Sequence, residues 1–245
     1  MTVFSRGDVT TMNAKDLPPT DLLYNDDPYA AECEASVIAA SGDDLVLDRT
    51  VFYPEGGGQA ADSGTLNGIP VHRLERVTIS ERSTPEGIPV PLESTVVHTV
   101  PDHGLVAGDR AHLVLDWERR YANMKMHTAA HLLFAATREF LEEEGQSAVT
   151  KGCQIEGASA RFDFRADIGT EAIAGIERRV RELAQSGLEA HVESADNGLR
   201  TWHLGEIDIP CGGTHVRSMT ELDGEPHVKR RRKGAGLTRL YIALT

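Results

Sequence analysis

Two pairs of side chains in this 245-residue sequence have the types and spacing to hold a metal ion. His127 and His131 stand four apart in the apolar stretch NMKMHTAAHLLFAATREFL. On a helix such residues share a face, with Cβ atoms about 6 Å apart, so two imidazoles can reach one ion. By themselves they fit equally a pair of hydrogen-bonded core histidines. Cys211 and His215, in IPCGGTHV, are again four apart, but Gly212 and Gly213 between them predict a turn. A turn lets a thiolate and an imidazole converge. Together the four residues form a Cys1His3 set suited to tetrahedral Zn²⁺. Thr128 stands where H-E-x-x-H proteases keep a glutamate base, which argues against proteolysis.

Two further stretches carry chemistry. In FYPEGGGQAADSG, Gly56, Gly57 and Gly58 permit positive φ and close approach of backbone to a ligand; a tight turn is the plainer alternative. The segment lacks the lysine of a P-loop and the spacing of a dinucleotide fingerprint. Gln59, just after the glycines, offers a donor and an acceptor on one side chain. Near the end, Lys229, Arg230, Arg231, Arg232 and Lys233 run consecutively in a chain whose net charge is −13. The acidic total argues against a polyanionic partner, whereas a confined basic patch suits phosphates; a solvated charged strand or loop is the alternative. Diffuse acidity with cations held to one place also suits work in high salt. Activity and folding followed up to molar KCl test that, and an optimum at low salt refutes it.

The elements that must position these residues follow from patterning. A hydrophobic fraction of 40% supports a packed core rather than disorder. Three cysteines, odd and sparse, do not make a disulfide framework. No apolar run is long enough to span a membrane and no signal peptide is evident, so a cytoplasmic protein is expected. Residues 1–20 read as a loose leader, with Met12 an alternative start. From 32 to 110 the pattern is short strands around Gly42-Asp43 and Asn67-Gly68 turns, as in a small barrel or sandwich. After Asp109 come a long helix ending near Gly145, a strand through ARFDF, and a helix with Thr170 as N-cap and Gly187 as stop. The expected class is α+β: a β-barrel domain with the GGGQ motif over 21–108, then a zinc-containing domain over 109–245.

FYPEGGGQAADSG, HTAAHLL, ARFDF (160–164) and CGGTHV together resemble the AlaX family, free-standing relatives of the editing domain of alanyl-tRNA synthetase. The resemblance covers residue 22 to the end, and the GGGQ segment marks the longer type with an N-terminal barrel. Ala60 departs from the proline that family members commonly place after the glutamine. The likeness implies an α+β editing domain shared with threonyl-tRNA synthetase and one Zn²⁺ per chain on His127, His131, Cys211 and His215. It also implies hydrolysis of Ser-tRNA(Ala), and of Gly-tRNA(Ala), at the acceptor end of tRNA(Ala). No aminoacylation core fits in the chain.

Such an ester hydrolysis needs an activated water and support for an oxyanion. The backbone amides of Gly212, Gly213 and Thr214 are candidates for that support. Sparing alanine requires hydrogen bonds to the serine hydroxyl, and Gln59, Thr128 and Thr214 are the first polar groups to test for that role. Thr128 alternatively bonds its own helix carbonyl. Lys229–Lys233, with Arg217 close in sequence, would meet phosphates. Four protein ligands usually close a structural zinc site, so zinc orienting the substrate is the favoured reading. Two alternatives stay open: an RNA-binding module with structural zinc, and a threonyl-type domain acting on Ser-tRNA(Thr).

Overall fold

The computed structural model describes residues 13–83, 89–195 and 197–245; the alternative start at Met12 and most of the expected leader lie outside the described residues. The chain divides into two units. One runs through Pro54 and continues over Ala61–Asp116; the other joins Glu55–Ala60 to Trp117–Thr245.

The first unit contains β1 (Asp21–Leu22), β2 (Glu32–Ser41), β3 (Asp44–Leu47), β4 (Arg49–Thr50), β5 (Gly64–Leu66), β6 (Ile69–Pro70), β7 (Arg73–Ser83), β8 (Pro89–Thr99) and β9 (Arg110–Leu115). β1 and β4 pair in parallel, and the other seven form one sheet in the order β6-β5-β9-β2-β3-β8-β7. Asn67 and Gly68 both take positive φ, 51° and 81°, as an Asn-Gly hairpin turn demands. Alternating Val37, Leu45, Leu47, Leu66, Val96 and Leu113 bury one face around Phe52. The small barrel expected here is a seven-stranded half-barrel sheet whose end strands, β6 and β7, do not pair with each other among the described residues. β9 pairs with both β2 and β5, so this unit ends at Asp116 rather than at 108.

The second unit contains α1 (Trp117–Glu143), β10 (Thr150–Glu156), β11 (Ser159–Phe164), α2 (Ile173–Ala184), β12 (Ala190–Ser194), β13 (Arg200–Leu204), β14 (Ile207–Pro210), β15 (Pro226–Gly234) and β16 (Leu237–Leu244). β10-β11-β16-β15 form an antiparallel sheet and β12-β13-β14 a smaller one. Ala160, Phe162, Phe164, Leu240 and Ile242 alternate onto one face and bury it with Ala129, Ala130 and Leu133 of α1 and Ile176 and Val180 of α2. Gly145, at φ 70°, follows the end of α1 as the spacing predicts. α2 differs: Ala172 is its N-cap, without a side-chain cap, and Thr170 contributes its carbonyl to the Ile173 amide instead. None of the described helices is long and apolar enough to cross a membrane.

Candidate metal centre

α1 carries His127 and His131 on one face, one helical turn apart, both nearly fully buried. Cys211 and His215 lie just past β14, where the Cys211 amide donates to the Arg200 carbonyl of β13. One ligand atom from each of the four residues lies within 4.8 Å of the others. Cys211 Sγ stands 3.5 Å from His127 Nε2 and 3.3 Å from His215 Nε2. The sequence-predicted quartet therefore converges.

Each of two imidazoles is held by a neighbour at its far nitrogen. His127 Nδ1 donates to Gln59 Oε1 at 2.7 Å, which leaves the Nε2 lone pair facing Cys211. His215 Nδ1 lies 3.3 Å from Thr128 Oγ1, which also accepts from the Val216 amide at 3.2 Å. Gln59, with no exposed surface, further accepts from the Thr214 amide at 3.1 Å and donates from Nε2 to Thr214 Oγ1 at 3.0 Å. Glutamine suits this place because one planar amide presents both roles.

The glycines around Gln59 serve its placement. Gly56 and Gln59 exchange backbone hydrogen bonds of 3.2 and 3.0 Å across Gly57 and Gly58, whose φ values are 59° and 88°. Positive φ at both central positions is a pattern only glycine adopts without strain. The turn is tied to β10: Ile155 donates to the Gly58 carbonyl, and Ala60 donates to the Ile155 carbonyl. Ala60 keeps a backbone donor here that proline would lack. A Cβ on Gly213 would sit 2.2 Å from His127 Cε1, so the second loop reaches the imidazole only as glycine. Gly212 has open space around it.

The expected oxyanion donors are mostly committed elsewhere. The Gly213 amide points at Cys211 Sγ, 3.3 Å away, and the Thr214 amide at Gln59. Anion support from those two N–H groups does not fit this loop, because both stabilise the ligand set. Sequence reasoning also missed Asn123, one turn before His127 on the same helix face, whose buried side-chain nitrogen has no hydrogen-bond partner. Its i−4 spacing from His127 was the available signal. Lys229–Lys233 lie on β15 and Arg217 follows the His215 loop.

Burial sets the protonation states. It pushes His127 down to about 3 and holds His131 and His215 well below the usual histidine range. All three are neutral ligands at pH 7. Burial pushes the Cys211 thiol up to about 11, a penalty that a bound divalent cation reverses by favouring the thiolate. His131 Nδ1 is buried without a hydrogen-bond partner, its ring edge-on to Trp202 at 4.8 Å. Three neutral imidazoles, one thiol and an orphaned nitrogen fit a borderline-soft cation such as Zn²⁺.

Comparison with known proteins adds to this geometry. The family model described as tRNA synthetases class II (A) matches residues 26–119. The alanyl-tRNA editing protein AlaX-M of Pyrococcus horikoshii is 30% identical over 92% of this chain and 98% of its own length. AlaX-L of the same organism is 28% identical over 82% of this chain and 52% of its own. The alanine–tRNA ligase of Thermoplasma acidophilum is 31% identical over 89% of this chain. This chain spans about a quarter of that ligase and half of AlaX-L.

Proposed function

The chain belongs to the AlaX family of alanyl-tRNA editing proteins, and from that premise we propose that it deacylates mischarged tRNA(Ala) in the cytoplasm. Its substrates on this reading are Ser-tRNA(Ala) chiefly and Gly-tRNA(Ala) as well, and its products free amino acid and tRNA. The observation that carries the proposal is the convergence of His127, His131, Cys211 and His215 with Gln59 braced behind His127.

Zn²⁺ held by those four residues would supply Lewis acidity and an anchor for the amino-acid end of the substrate. The chain's own groups then divide the work. Gln59 and Thr128 position His127 and His215, since their polar atoms already meet the ring nitrogens. Thr214 is the better reader of a serine hydroxyl: its oxygen accepts from Gln59 and its own proton remains available. Bonding that hydroxyl leaves a polar group unpaired when alanine is present, which disfavours the correct product. With the Gly213 and Thr214 amides engaged, Gly212 is the remaining loop donor for a developing oxyanion. Outward-facing cations of the Lys229–Lys233 run meet phosphates.

A closed set of four donors also supports a second reading, a structural zinc in a non-catalytic RNA-binding module. One experiment separates them: deacylation of Ser-tRNA(Ala), Gly-tRNA(Ala), Ala-tRNA(Ala) and Ser-tRNA(Thr), with metal analysis of the same preparation. Hydrolysis of the first two with one zinc per chain is expected. A zinc-loaded protein that binds tRNA without turnover overturns the editing proposal, and preference for Ser-tRNA(Thr) overturns its substrate assignment.

A further inference from the structure

The basic run KRRRK is contiguous in sequence, but a strand alternates its side chains between two faces. On β15, Val228 is buried opposite Ile242, so Lys229, opposite Tyr241, and Arg231, opposite Arg239, turn outward. Arg230 turns the other way, and its Nε donates to the Ile168 carbonyl. Arg230 is therefore unavailable to a partner on the open face.

What the register removes from the run it adds from neighbouring strands. Arg239 and Tyr241 of β16 lie opposite Asp163 and Arg161 of β11. The outer face of the sheet thus groups Lys229, Arg231, Arg239, Tyr241 and Arg161 around Asp163. Asp163 takes both Nε and Nη2 of Arg239, at 2.5 and 2.7 Å, and lies 3.3 Å from Arg161 Nη1. One carboxylate orients two guanidiniums and leaves the group positive. Arg161 is also fixed by Nε donating to Gln154 Oε1 at 3.0 Å. Held guanidiniums match phosphate oxygens with little further loss of side-chain freedom.

We propose that this outer face, centred on Arg231, Arg239 and Arg161, docks the phosphate backbone of the tRNA substrate away from its aminoacyl end. Charge complementarity selects the partner: in a chain of net charge −13, a polyanion is repelled by the average surface and attracted here. The inference rests on the reading that the substrate is tRNA, and it deepens that reading by naming residues outside the basic run.

The test is anisotropy binding of uncharged, labelled tRNA(Ala) to the full chain over a salt series, which needs no turnover. Lys229→Glu with Arg231→Glu should weaken binding at least about tenfold at low salt and flatten the slope of log K against log salt by about two. Arg161→Gln should flatten it by about one, with zinc content retained. Arg82→Glu, on an exposed strand of the other unit, should change neither. If charge reversal disturbs folding, Lys229→Gln with Arg231→Gln gives the same loss of slope. Unchanged affinity and slope in the β15 variants, or an equal loss in Arg82→Glu, overturns the proposal. Normal docking without deacylation would instead sink the editing reading and leave this face standing.

Discussion

Gln59 commits both ends of its amide to the metal centre, so its removal acts on the ligands without touching them. Gln59→Ala should lower zinc affinity roughly 10–100-fold in a chelator competition, the usual effect of losing a partner behind a ligating histidine. Unchanged affinity would show that Gln59 does not brace His127. Gly213→Ala places a Cβ 2.2 Å from His127 Cε1, so the ring must move. The expected result is zinc well below one per chain with far-ultraviolet dichroism retained. Thr128→Val keeps the shape but strands His215 Nδ1 and the Val216 amide in a buried place. Each unpaired donor costs about 1–3 kcal/mol, so denaturant melts should shift by a similar amount. A neutral Thr128→Val would mean that the two donors find other acceptors.

At the scale of elements, contacts differ in worth according to exposure. Arg179 of α2 grips Glu139 of α1 at 2.7 and 3.1 Å, yet both side chains are about two-fifths exposed. Water screens such a pair, and Arg179→Ala should cost under about 1 kcal/mol in a urea melt. A larger loss would reveal packing by the arginine stem. The same scale explains what was legible in the sequence. The i, i+4 histidines and a Cys-Gly-Gly-Thr-His turn are local patterns, and the structure brings them together as read. The placement of β9 was not legible, because its partners β2 and β5 lie far away in sequence and the alternation of HLVL names none of them. Gln59 looked like a substrate reader because nothing local shows that His127, 68 positions later, takes its oxygen. The basic run looked like one patch because charge runs carry no phase until a strand supplies it. Thr170 has a good N-cap side chain, but the helix begins later.

At the scale of the whole molecule, the two units share a sensitivity to acid and differ in their dependence on a metal. His98, fully buried in the first unit and 2.9 Å from Thr50 Oγ1, is pushed down to about 4 by burial. An unfolded histidine titrates near 6.5, so between about 6.5 and 4 the unfolded state binds the extra proton. Its contribution is complete above about pH 6.5, is lost as pH falls towards 4, and changes no further below that. The second unit depends also on its metal, since binding to the folded form alone stabilises it. Calorimetry should resolve one transition that weakens from pH 7 to 4.5 and ignores EDTA, and another that acid weakens as well, through the three buried histidines, and that EDTA lowers at constant pH. A single transition shifted alike by both would show that the units unfold together. The Gly56–Gln59 turn has one more consequence. The backbone leaves the seven-stranded unit after Pro54, visits the other for six residues, and returns at Ala61. No single cut releases the metal-binding unit whole: a polypeptide beginning at Trp117 would lose the amide behind His127 and bare the edge of β10, inviting strand addition from other chains. Dividing this chain between its units therefore strips Gln59 from the metal centre unless the six-residue excursion travels with it.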